Sequence, residues 1–111
     1  MKLKFYVLDS DNHVVETDDV VVWGKFFERM ENRLVGYTEI TSEIYVSTIF
    51  IGIDHRMSDE GPPILFETMI FGGPDSIDQY QWRYSSYDDA LTGHKMAVSK
   101  ARAAIGQRVT E

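Results

Sequence analysis

Tyr80-Gln81-Trp82-Arg83-Tyr84-Ser85 is the stretch whose reading decides the fold. Tyr80, Trp82 and Tyr84 fall on one side of an extended chain, and Gln81, Arg83 and Ser85 on the other. That alternation is the period-2 signature of a strand. Working outward, Ile64 to Phe71 is apolar on both faces, as a central strand is. Gly72-Gly73-Pro74-Asp75 between them reads as a turn. Upstream, Ile44 to Asp54 is rich in β-branched and aromatic residues and predicts a long strand. Thr38 to Thr41 is a short strand before a kink near Ser42-Glu43. The loop from His55 leaves through Pro62-Pro63, which stiffens its exit.

Helical periodicity flanks this block. Val20, Trp23, Phe26, Phe27, Met30 and Leu34 share one helical stripe after the capping residues Thr17, Asp18 and Asp19, and Gly36 is the expected stop. Ser86 opens the last helix with Asp89 three residues on, and Tyr87, Ala90, Leu91, His94, Val98, Ala101 and Ile105 form its inward stripe, up to Gly106. Residues 2–16 read as a hairpin around Asp9-Ser10-Asp11-Asn12. The expected fold is α/β of the α+β type. A mainly antiparallel sheet of four to six strands carries two helices, near 19–35 and 86–105, in the order ββαβ(β)ββα. Residues 44–85 supply a three-stranded antiparallel core, and residues 1–111 form a single domain.

Composition narrows the function classes. The 111 residues carry 18 acidic and 11 basic side chains, a net charge of −7, so a phosphate-driven grip on nucleic acid or an anionic membrane is not expected. There is no cysteine, which excludes disulfides, thiolate metal sites and cysteine nucleophiles. The longest nearly uninterrupted apolar run, Ile49 to Ile53, is far short of a membrane span, and no secretory h-region is read at the start. P-loop, nucleophile-elbow and calcium-loop patterns are missing.

The residues that invite chemistry lie around the end of the long strand. If Asp54 pairs with Leu65, and Phe71 with Tyr80, one face gathers Thr48, Phe50, Gly52, Asp54, Leu65, Glu67, Met69, Phe71, Tyr80, Trp82 and Tyr84. Gly52 then stands opposite Glu67 and leaves room for a ligand. Glu67 is a carboxylate in an apolar strand and needs a partner. It is either a ligand-binding or acid/base group, or a structural mate of Arg83, Tyr84 or a backbone amide. His94 is either a ligand or a core histidine bonded to a carbonyl. The expected ligand site is Asp54, His55 and Glu67 with Arg83 and Tyr84 beside them and His94 as its last member. Asp54, His55, Glu67 and His94 have the side-chain types of a metal site but no metal-ligand spacing, so no metal and no cofactor is assigned.

Val46 to His55, Gly61 to Gly73, Arg83-Tyr84-Ser85 and the helix through Ala90 and His94 together resemble small uncharacterised proteins encoded by bacteriophages and prophages. The resemblance spans half to two-thirds of the chain. It implies a phage accessory protein made in the bacterial cytoplasm, and it carries no residue role. The leading expectation is a non-enzymatic binding protein that engages a host factor or sequesters a small molecule, in the service of countering antiviral defence. The alternatives are a small metal-dependent hydrolase using Asp54, His55, Glu67 and His94, and an acidic mimic of nucleic acid. Direct nucleic-acid and membrane partners are not expected. The surplus aromatic surface around Trp82 predicts a homodimer or larger homo-oligomer through that strand.

Overall fold

Asp19 turns the chain from strand to helix. Its carboxylate accepts hydrogen bonds from the N–H groups of Val21 and Val22, two of the donors a helix start leaves open. The computed structural model describes residues 4–54, 56 and 60–106. Before Asp19, β1 (Phe5–Leu8) and β2 (Val14–Thr17) form an antiparallel hairpin. After it come α1 (Val20–Phe27) and the single turn α2 (Met30–Arg33). A four-stranded antiparallel meander follows: β3 (Leu34–Glu39), β4 (Tyr45–Phe50), β5 (Phe66–Phe71) and β6 (Gln81–Tyr84), in that spatial order. The chain ends in α3 (Tyr87–Ala104), capped by Ser86, whose hydroxyl accepts from the Asp89 N–H. The α+β class and the antiparallel sheet are therefore as expected.

Three local expectations change. The first helix is not continuous to residue 35. It stops at Phe27, and Leu34 opens a strand. Gly36 is not a helix stop but a β3 residue opposite Thr48, and a side chain there would press on the imidazole of His94, 3.0 Å away. The long strand ends at Phe50 rather than Asp54. Gly52 follows with a φ of +67°, and the space above it is filled by the ring of Phe27, not left open for a ligand.

Register decides which face is which. Ile49 pairs with Glu67 and Phe50 with Phe66; Glu67 pairs with Arg83 and Phe66 with Tyr84. The expected pairings, Asp54 with Leu65 and Phe71 with Tyr80, are each offset from these by an odd number of residues, and an odd offset exchanges faces. Val46, Thr48, Phe50, Phe66, Thr68 and Ile70 are fully buried beneath α3. Tyr45, Ile49, Glu67, Met69 and Phe71 lie on the opposite face. There the rings of Tyr37, Tyr45 and Phe71 form a row, with centroids 5.4 and 4.8 Å apart.

α3 lies across all four strands of the meander. It can settle closely because the residues it buries are Ala90, Gly93, His94, Ala97 and Ala101, all small except one. Two apolar clusters result. One joins Phe50, Leu65, Phe66 and Ala90 to Tyr6 and Leu8 of the hairpin, with Phe26 and Phe27 of α1 packed against it. The other joins Ile44, Val46, Ile70, Ile77, Ala97 and Ala101. No helix among the described residues is long and apolar enough to cross a membrane.

Gly93 has no room for a side chain, because a methyl group would collide with the hydroxyl of Tyr84. Gly93→Ala is expected to lower stability in urea denaturation by about 1–3 kcal/mol, the range for overpacking. Gly24→Ala in α1, where nothing lies within 4 Å, is expected to raise it by about 0.5–1 kcal/mol through helix propensity.

Candidate functional site

Between the two apolar clusters runs a line of polar side chains, one from each strand of the meander and one from α3. Thr38 Oγ1 of β3 lies 2.9 Å from Nε2 of His94, and Thr48 Oγ1 of β4 lies 2.7 Å from its Nδ1. Thr48 Oγ1 is 2.6 Å from Thr68 Oγ1 of β5, and Thr68 stands close enough to the Tyr84 phenol of β6 to pull its pKa down. A neutral imidazole has one donor and one acceptor, and each hydroxyl can be both, so the line can be satisfied in one sense from end to end. Burial holds His94 below its ordinary 6.5, which keeps it neutral near pH 7. Burial pushes the Tyr84 phenol up, partly offset by Thr68, so it stays a neutral hydroxyl.

Tyr84 links this line to the surface. A groove of about 750 Å³ opens between β6 and α3 and is walled by Trp82 and Tyr84 on one side and Asp89, Thr92, Gly93 and Met96 on the other, with Pro62 and Ile64 at one end. Trp82 is 59% exposed and Met96 69% exposed, so both walls present large apolar groups to solvent. The volume is that of a small-molecule pocket. Asp89 contributes the groove's acidic side chain, in the first turn of α3.

The residues anticipated from sequence are divided rather than gathered. Glu67 lies on the face away from α3, paired with Arg83 at 2.9 Å, which is the structural reading of that carboxylate. Asp54 is a loop staple. It accepts from the N–H groups of Arg56 and Ile64, at 2.9 and 3.1 Å, and from Nε of Arg56 at 2.6 Å. Partial burial pushes its carboxyl up, but those hydrogen bonds and the guanidinium outweigh it and hold it below the usual carboxylate value. The Arg56 guanidinium also donates to the Gly61 carbonyl at 2.7 Å, tying in the far side of the loop. His55 lies outside the described residues. His94 is a buried hub whose partners are threonine hydroxyls, not a backbone carbonyl. Glu67 and His94 sit on opposite faces of the sheet, so the quartet Asp54, His55, Glu67 and His94 does not converge on one ion, and the six-residue ligand cluster is split in the same way. Of its members, Arg83 and Tyr84 line the groove.

Among the described residues, Asp9, Asp11 and His13 are the group of ligand-type side chains close enough to share an ion. They are exposed and belong to a turn in which Asp9 caps the N–H groups of Asp11 and His13. Sequence reading missed Thr92 and Met96, and gave Thr38 and Thr68 no role. Comparison with protein-family models, curated proteins and solved structures finds no match to this chain.

The polar line sets a pH dependence. Below about 6.5 the unfolded chain takes up a proton at His94 that the folded chain resists, so stability is full above 6.5 and falls as pH drops below it. Asp54 and Asp9, held below 3.8, act only in more acidic solution. Urea midpoints measured at about pH 7.5 and about pH 5.5 are expected to drop for the wild type and to converge in His94→Gln. Thr48→Val is expected to cost about 1–3 kcal/mol at neutral pH, because it leaves two buried polar groups without their partner.

Proposed function

We propose that this chain is a non-enzymatic binding protein whose working surface is the groove between β6 and α3. The observation that carries the reading is the pair of exposed apolar walls, Trp82 and Met96, in a groove that Tyr84 also lines. An indole face attracts flat apolar groups, and more strongly those that carry positive charge. Asp89 at the rim and the net charge of −7 favour the same sign of ligand. The groove therefore suits a planar group with a cationic or hydrogen-bond-donating end, whether on a small molecule or on a side chain of a protein. The sequence resemblance supplies the setting of the proposal. A phage accessory protein in a bacterial cytoplasm would use such a groove to engage a host factor or hold a small molecule, in the service of evading antiviral defence.

Benzamidine, a planar aromatic cation, is a direct probe. Titration is expected to change the emission of Trp82 and to shift amide resonances of residues 82–96. Trp82→Ala is expected to abolish the response without loss of fold, since Trp82 is largely outside the core. Asp89→Asn is expected to remove the preference for benzamidine over neutral benzamide. A wild-type protein whose groove resonances respond to neither compound would overturn the reading.

A further inference from the structure

The groove ends at an open sheet edge, and that edge is unlike the other one. β3 is broken by a register shift between Leu34 and Gly36, the kind of irregularity that discourages edge pairing. β6 is paired without a shift from Gln81 to Tyr84. It contains no proline, lysine or bulge. Residues 79–87 hold none of the chain's 18 acidic side chains, and Arg83 is their single charge.

The backbone phase of β6 is fixed by its bonds to β5. The Tyr80 carbonyl accepts from Ile70, and the Tyr84 carbonyl from Leu65. Tyr80, Trp82 and Tyr84 thus aim their backbone polar groups inward, and the alternation of an antiparallel ladder turns those of Gln81 and Arg83 to the open edge. Two copies pairing antiparallel must join through these outward residues. A two-fold axis at Arg83 would set two guanidiniums face to face. An axis at Gln81 would place Arg83 opposite Gln79, which has a φ of +65° and lies outside the strand. An axis at Trp82 meets neither obstacle. It sets Gln81 against Arg83 of the second copy, twice, and Tyr80 against Tyr84, twice. The two Trp82 residues then face each other in the close, non-hydrogen-bonded position. The stretch Tyr80-Gln81-Trp82-Arg83-Tyr84 is a near-palindrome about that axis.

We infer that β6 pairs with β6 of a second copy of this chain, antiparallel and centred on Trp82. The two meanders become one eight-stranded sheet. Residues opposite each other in such a ladder point to the same face, so both α3 helices lie on the Trp82 side. Each copy's Tyr80, Trp82 and Tyr84 then extend the floor of the other's groove, and the two grooves merge into a trough walled by the two helices. This pairing stands on the edge alone and holds whether or not the groove takes a planar cation.

Light scattering on the full chain at micromolar concentration is expected to give twice the 12.8 kDa chain mass. Gln81→Arg sets arginine against Arg83 of the other copy and should weaken the dimer. Gln81→Glu sets a carboxylate there and should tighten it. Each shift is roughly 2- to 30-fold in Kd, from two symmetric cross-strand pairs. Because the chain has no cysteine, Trp82→Cys tests the register directly. It should oxidise to a disulfide-linked dimer, while Met96→Cys, at a position even more exposed, should not. A wild-type monomer overturns the inference even if benzamidine still binds. So does a dimer indifferent to both Gln81 variants, or one in which Met96→Cys cross-links and Trp82→Cys does not.

Discussion

The hydrogen-bonded line from Thr68 through Thr48 and His94 to Thr38, with the Tyr84 phenol beside Thr68, is the constraint on which the rest of the structure depends. With Tyr84 it crosses all four strands of the meander and reaches into the helix above them. An apolar interior can tolerate a two-residue slip, which keeps its faces, if volumes still fill, but a buried hydroxyl so moved loses its partner. Thr48 and Thr68 stand directly opposite each other in the ladder. Their mutual bond exists in one register, and His94 fixes where α3 must sit above it. The line thus couples sheet register to helix position, a task that the apolar clusters on either side cannot perform.

The small residues of the helix and sheet follow from that coupling. Gly36 leaves the space that the imidazole occupies, and Gly93 leaves the space for the Tyr84 hydroxyl. Farther along, Lys100 reaches over the ring of Tyr80, but the stretch of edge between Tyr84 and Tyr80 is left uncovered. Trp82, one pair along from Tyr84 on the same face, is left standing in solvent beside Met96. The groove is therefore a by-product of where the helix must lie, and its exposed aromatic wall belongs to an unprotected edge strand. A surface of that kind is costly to leave bare in a protein that stays in solution.

Much of this was legible in the sequence. The capping roles of Asp19 and Ser86, the alternation of Tyr80 to Ser85 and the glycine turn after Phe71 are local signals, and each survives in the structure. The oddness of Glu67 was legible too, and its mate Arg83 was among the candidates. What failed was the assembly of Asp54, Glu67 and His94 into one site, because each placement assumed a register. Both expected pairings of β5 are off by an odd number of residues, so Thr48, Phe50, Trp82 and Tyr84 share a face with Phe66 and Thr68 rather than with Glu67. The first helix failed for a related reason. The apolar spacing of Met30 and Leu34 fits a helix, yet Leu34 to Glu39 is needed as the edge partner of β4, and tertiary pairing overrides local period.

By itself the sequence determined the element types, most of their boundaries and the α+β class, because propensity, capping and periodicity act over a few neighbouring residues. It also determined that Trp82 would stand out, since the alternation that marks it is local. Only the tertiary structure decided which face each strand buries, that His94 serves threonines rather than a ligand, and that an open groove lies between β6 and α3. Those outcomes depend on register and on helix placement, which arise from contacts between residues far apart in the chain. A single odd-numbered slip between two strands changes all of them without altering any local signal.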